Sequence, residues 1–317
     1  MSLEQDTYRH LCEECQASIP LMSQAWWLDA VSLGKKWDAV LLRDRSGDIY
    51  AALPFHLTSR LGISAALLPQ LTQTISPWFR HGIDSSTALR GLIDRLKSYS
   101  FSHLTVRFQL AAYFDEAQCS ELSAASFALK TRHSYVISPP SKSPSELPSW
   151  ILSNMCESKR RSVRHAQSSL TVSPVFDPSA FYDFIVSNLS SRGRSPLYGR
   201  ELFCSLASAA ISRGAGRLSV AVSPSGDWRA GLFSVSDASR TYYLVPTYPA
   251  SSMRSGAMEL LTFDSILSAL SANRCFDFEG SDEPSIAEAY RRYGGSPVTY
   301  TSAEWFLAGS LGCRVFS

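Results

Sequence analysis

Apolar positions along the chain fall into two rhythms. Leu89, Leu92, Ile93 and Leu96 sit at i, i+3, i+4 and i+7, the spacing of one helix face, and Leu260, Phe263, Leu267 and Leu270 form a second such stripe. Segments 23–33, 155–168, 178–189 and 200–212 are read as further helices. Between them lie short apolar or alternating runs with strand character: 39–42, 49–54, 63–68, 218–222, 229–234, 241–245 and 275–279, with Leu104, Val106 and Phe108 alternating as well. Helices and strands follow one another throughout, so the pattern predicts an α/β protein.

The pattern also repeats. A shift of 170 residues lays Ile93 on Phe263, Leu96 on Ile266, Val106 on Phe276 and Phe108 on Phe278, so helix and strand recur in the same order in both halves. The run Ser138-Pro139-Pro140-Ser141-Lys142-Ser143-Pro144-Ser145-Glu146-Leu147-Pro148 separates the halves, because prolines so closely spaced forbid both helix and central strand. Two domains are expected, 1–140 and 150–317. Residues 301–317 either complete the second or cross back to the first.

A chain of 317 residues, 45% apolar and 18% charged with a formal net charge of +2, has the balance of an ordinary globular protein. That excludes a disordered or nucleic-acid-coating chain and makes any cationic function local. Of 30 basic residues 24 are Arg, whose planar fork grips carboxylate or phosphate with two hydrogen bonds. The polar N-terminus, the lack of a long apolar run and seven scattered cysteines lead to the expectation of a cytoplasmic protein without a transmembrane segment.

Several signals point away from other chemistries. His10, Cys12 and Cys15 lack a second ligand pair at zinc spacing, and Tyr8, Leu11, Cys12 and Cys15 instead make a helical stripe, so no metal is expected. The sequence has no GxxxxGK[ST] loop, no third glycine after Gly214-Ala215-Gly216 and no GxSxG elbow.

The most telling stretch runs Tyr242-Tyr243-Leu244-Val245, a loop, Arg254-Ser255-Gly256-Ala257-Met258-Glu259-Leu260-Leu261, a helix, Phe276-Asp277-Phe278-Glu279-Gly280, and then Ala289-Tyr290-Arg291-Arg292-Tyr293-Gly294-Gly295. This order resembles the strand, loop, helix, strand, helix core of GNAT transferases. The pieces GAMELL, FDFEGS and AYRRYGG are similar to the FemAB-like branch. In the N-terminal half, Trp26-Trp27, AALP at 51–54 and PQLTQT at 69–74 have a similar look. The resemblance implies two tandem GNAT-like domains, each a mixed, mostly antiparallel sheet flanked by helices, with the N-terminal copy degenerate. It further implies an acyl- or aminoacyltransferase acting on a primary amine of a cell-wall or lipid precursor, with acyl-coenzyme A or aminoacyl-tRNA as donor and tRNA as a partner in the latter case. The alternative is a ligand-binding protein that keeps the fold without the chemistry.

The residues suggest roles within that frame. Backbone N–H groups at Tyr243, Leu244 and Val245 would polarise an acyl carbonyl. Arg254, Ser255, Gly256 and Ala257 open a helix, where a glycine and the helix dipole favour a pyrophosphate; the other reading is a plain loop-to-helix junction. Met253 and Met258 depart from the family's Arg/Gln-x-x-Gly-x-Gly/Ala pattern at those places. Tyr290 stands four residues before Gly294, the family's spacing for a tyrosine that protonates the leaving thiolate, with Tyr293 on the same segment.

Asp277 and Glu279, two apart on an expected strand, would share the face opposite Phe276 and Phe278 and serve to deprotonate the amine, or be solvated charges. Arg160 and Arg164, i and i+4 on a basic helix, and Arg192 in a loop are candidates for an anionic part of the substrate, or for a solvated face.

Overall fold

A computed structural model of the chain describes residues 2–34, 36–60, 62–280 and 282–307. The first half contains α1 (Leu3–Glu14), α2 (Ala25–Ser32), β1 (Trp37–Arg43), β2 (Ile49–Arg60), β3 (Ile63–Ala66), β4 (Trp78–Phe79), α3 (Ser85–His103), β5 (Thr105–Ala112), α4 (Glu116–Ala124) and β6 (Ala128–Ile137). The second contains α5 (Leu147–Asn154), α6 (Glu157–Gln167), β7 (Thr171–Val175), α7 (Pro178–Ser190), α8 (Arg200–Ser212), β8 (Gly216–Val222), β9 (Trp228–Ser236), β10 (Arg240–Thr247), α9 (Ala257–Ser271), β11 (Cys275–Asp277), α10 (Pro284–Arg291) and β12 (Ser296–Phe306).

Local chemistry explains where the elements start. Asp84 caps α3 by accepting from the amides of Ser86 and Thr87, and Asp115 with Gln118 forms a reciprocal capping box at α4. The stripe Leu89, Leu92, Ile93, Leu96 is buried along α3. On α1, Tyr8, Leu11 and Cys12 are buried, as their spacing requires of a core face. The helix expected over 23–33 begins at Ala25, because residues 21–23 form a separate 3-10 turn after Pro20.

The chain forms two compact units. One comprises the described residues up to Arg132 together with residues 299–307; the other is His133–Val298. In the first, strands are ordered β1-β2-β3-β5-β12, with β4 on β2. In the second the order is β6-β11-β10-β9-β8-β7. Both sheets are mostly antiparallel and helix-flanked, with one parallel pair each among the described residues: β3 with β5, and β10 with β11. Each parallel pair is joined by a crossover carrying a helix, α3 or α9, as parallel neighbours require.

The duplicated pattern is real at the level of structure. β5 starts at Thr105 and β11 at Cys275, and Ile93, Leu96 and Phe108 lie in one core where Phe263, Ile266, Phe276 and Phe278 lie in the other.

Each unit is completed by a strand from the far half of the sequence. β6 follows α4, yet its end pairs with β11 (Phe276 with Ile137, Asp277 with Val136). β12 follows α10 and pairs with β5 from Thr301 to Phe306. The chain therefore changes unit within β6, at Arg132/His133, and the proline-rich segment lies inside the second unit. Of the C-terminal segment, residues 299–307 go with the first unit, and the rest of 301–317 lies outside the described residues.

Among the described residues no helix is long and apolar enough to cross a membrane.

Candidate active site

β10 is the strand on which the site is built. It pairs with β11 in parallel only from Arg240/Cys275 to Tyr242/Asp277, where β11 ends. On its other side it continues to Thr247 against β9, with a register break that takes Leu244 out of step between Tyr243 and Val245. The bulge thus begins one residue beyond the last rung shared with β11. Bulges bend a strand and re-aim its backbone groups, and they recur beside active sites. The side chains of Tyr243, Leu244 and Val245 are buried.

The turn leading into α9 has an anatomy the sequence only partly conveys. Gly256 has φ +73°, and a Cβ there would stand 2.4 Å from the carbonyl oxygen of Ser162 on α6. Glycine is therefore required by the close packing of α6 against the start of α9. Ser255 Oγ donates to the Ser252 carbonyl (2.7 Å) and accepts from the Ala257 amide (3.2 Å). The following amides, of Met258 and Glu259, meet no acceptor among the described residues, so the helix end keeps donors of the kind that bind anions. Arg254 and Met253 are exposed beside them. Met258, which departs from the family pattern, turns inward and receives the Tyr243 hydroxyl on its sulfur at 3.1 Å.

An aromatic cluster fills the space next to the strand ends. Tyr290 stacks on Phe278 (centroids 4.6 Å apart, planes at 21°) and meets the ring of Tyr243 edge-on at 6.3 Å. Its hydroxyl has no hydrogen-bond partner among the described residues. Burial, with the Glu279 carboxyl nearby, pushes Tyr290 up to about 12, so the phenol keeps its proton at neutral pH. Tyr293 is buried against Phe278, and its hydroxyl accepts from Lys159 Nζ at 3.2 Å.

The two carboxylates differ from expectation. Asp277 is fully buried, pairs with Arg240 and accepts from Ser134 and from the Glu279 amide. It is neither in a solvated face nor open to a substrate; it fastens β11 to β10 and β6. Strand alternation stops at Asp277, and Glu279 has left-handed backbone (φ +59°), so the two do not share a strand face. Gly280 follows in the same region (φ +65°) because a Cβ there would fall 1.9 Å from the His133 carbonyl oxygen. Burial, with Asp277 close by, raises the Glu279 carboxyl well above the usual carboxylate range. Its surroundings therefore favour the protonated form.

One ion pair was not anticipated. Lys159 reaches Glu259 at 2.8 Å, each side chain 18% exposed, and lies over the Tyr293 ring. The sequence does hold its signature: Lys159, Val163 and Ala166 occupy i, i+4 and i+7 on α6, and the last two are fully buried. A lysine on an apolar stripe implies an internal partner.

Of the three arginine candidates, Arg192 is engaged by Tyr248, donating to its carbonyl at 3.0 Å and lying over its ring. Arg160 and Arg164 share one cavity with Ser149, Leu152, Ser153, Glu157 and Arg161. Tyr290, Glu279 and Tyr243 are gathered at the strand ends, and α9 links them to Arg254–Ala257.

Comparison with protein-family models and with curated proteins gives no match. Comparison with solved structures does. The chain is similar to FemX (13% identity, 97% of each chain covered, TM-score 0.71). It is also similar to a tandem GNAT protein from the clavulanic acid biosynthesis pathway (12% identity, 97% of this chain and 96% of that one, TM-score 0.55). A third similar structure is L-PGS from Bacillus licheniformis (11% identity, 90% of this chain and 93% of that one, TM-score 0.52). Across nearly its whole length, then, the chain has the tandem GNAT-like fold of the FemAB type.

Proposed function

We propose that the protein is an N-acyltransferase: the second unit holds an activated acyl donor beside β10, and a primary amine attacks the acyl carbon. The observation that carries this reading is the parting of β10 from β11 at the Leu244 bulge, next to both the α9 N-terminus and the Tyr290 phenol. Backbone amides of Tyr243–Val245 are the groups proposed to polarise the carbonyl, since fixed donors aimed at developing oxyanion charge lower the barrier most. Tyr290 then protonates the departing group as the C–N bond forms and the acyl bond to the donor breaks.

Glu279 takes the role of base, helped by the ammonium of the acceptor beside it, because a neighbouring positive charge favours the ionised carboxyl that burial disfavours. Asp277, committed to Arg240, is assigned a positioning role instead.

The donor read from the site is an acyl thioester of coenzyme A: Arg254 and the amides of Met258 and Glu259 suit a pyrophosphate. A second reading, an aminoacyl-tRNA donor as in Fem-type enzymes, is favoured by the full-length likeness to FemX and by Met253 and Met258. A cell-wall or lipid precursor is the acceptor class that the FemAB-like resemblance suggests, and a cytoplasmic location is proposed with it.

Release of free thiol from acetyl-coenzyme A in the presence of pooled primary amines tests the reading. Amine-dependent release that disappears in Tyr290→Phe supports it. Release no faster than without protein, or equal in the variant, sinks it.

A further inference from the structure

We propose that the open cavity bordered by α5 and α6 is a separate binding site for the diphosphate group of a small molecule. α6 has two working faces. Val163 and Ala166 are buried and Lys159 reaches in to Glu259, while Arg160, Arg161 and Arg164 look the other way into a cavity of about 370 Å3. Small-ligand pockets begin at about 300 Å3, so the space exceeds what a single ion needs.

The charges in it are not equivalent. Arg161 is tied to Glu157, which neutralises the one acidic side chain on the lining. Arg160 and Arg164 have no ion pair, hydrogen bond or ring contact from their side chains among the described residues. Elsewhere in the same unit Arg200, Arg217 and Arg240 each hold a carboxylate. Two guanidinium groups one helical turn apart, with Cβ atoms about 5–6 Å from each other, can each present a planar fork to one of two linked phosphates. Ser149 on α5 adds a hydroxyl donor to the lining, while the Ser153 hydroxyl donates to the Trp150 carbonyl and leaves its oxygen as an acceptor. A polynucleotide would call for a longer cationic track, whereas this set is confined to one concavity.

Calorimetric titration of the full-length protein with inorganic pyrophosphate, in the presence of saturating acetyl-coenzyme A to occupy the α9 N-terminus, is the test. Saturable binding is expected, weakened roughly tenfold or more, about 1.4 kcal/mol, in Arg160→Gln/Arg164→Gln and unchanged in Arg254→Gln. Both arginines are on the protein's surface side, and the thermal unfolding of the double variant checks that it is folded. Absence of saturable binding, equal binding by the double variant, or displacement of pyrophosphate by a short single-stranded RNA at lower concentration overturns the proposal. Acetyl-coenzyme A binding is scored separately, so failure here leaves the transferase reading standing.

Discussion

Tyr290 lies stacked on Phe278 with its hydroxyl unengaged, an arrangement in which the ring serves packing and the oxygen does not. Tyr290→Phe should therefore keep the stack and unfold within about 1 kcal/mol of the native chain, while acyl transfer falls roughly a hundredfold or more. Unfolding and turnover measured on the same preparation separate the two effects. Unchanged turnover would remove Tyr290 from the chemistry.

Lys159 and Glu259 form the enclosed pair that ties α6 to α9. Lys159→Met leaves a carboxylate without its partner and should destabilise the protein by about 2 kcal/mol, lowering the melting temperature by a few degrees. Adding Glu259→Leu should recover much of that loss, because replacing both charges removes the uncompensated one. Additive losses in the double variant would show that the pair is not coupled.

The raised Glu279 carboxyl makes a signed prediction. Below the ordinary value of 4.5 both folded and unfolded chains are protonated there; as pH rises, only the unfolded chain ionises, and the native state loses relative stability. Glu279→Gln abolishes this proton linkage. Its melting temperature should gain on the native protein as pH rises above about 4.5. A difference that does not change with pH would contradict the burial of this group.

Cys156 caps α6, with Arg292 Nε 3.4 Å from its sulfur and Ser158 Oγ at 3.3 Å. Burial pushes the thiol up, but hydrogen bonds from Ser158, the Lys159 amide and Arg292 outweigh it and bring it down to about 7. Alkylation of Cys156 by iodoacetamide, followed by peptide mass analysis, should show a midpoint near neutral pH. Arg292→Gln should move that midpoint upward, and an unmoved midpoint would discount the contact.

Much of the fold was legible because long stripes declare themselves. α3, α7, α8 and α9 follow from their apolar spacing, and the 170-residue repeat marked the helix–strand pairs that end in Phe108 and Phe278. Short or weakly periodic pieces were not seen: α4, β6, β7 and β12 carry exposed polar residues through much of their length. Nor could local pattern reveal that β6 and β12 complete distant partners, since strand order depends on pairing across the whole chain.

At the candidate site, the order of the sequence was enough to pick out Tyr290, Glu279 and the Tyr243–Val245 segment as candidates, and the fold brings these residues near one another. The end of alternation at Asp277 was not, because a left-handed Glu279 leaves no trace in composition beyond the Gly280 that follows. Asp277 looked like Glu279 in sequence; only Arg240, brought alongside by β10, distinguishes it.

Thermal unfolding of the full-length protein with and without acetyl-coenzyme A tests the central claim most directly. At 100 times its dissociation constant a ligand of the native state adds about 2.7 kcal/mol, a rise of a few degrees for domains of this size. The account predicts that rise for the native protein and a smaller one for Arg254→Gln. No rise at saturating acetyl-coenzyme A would contradict it.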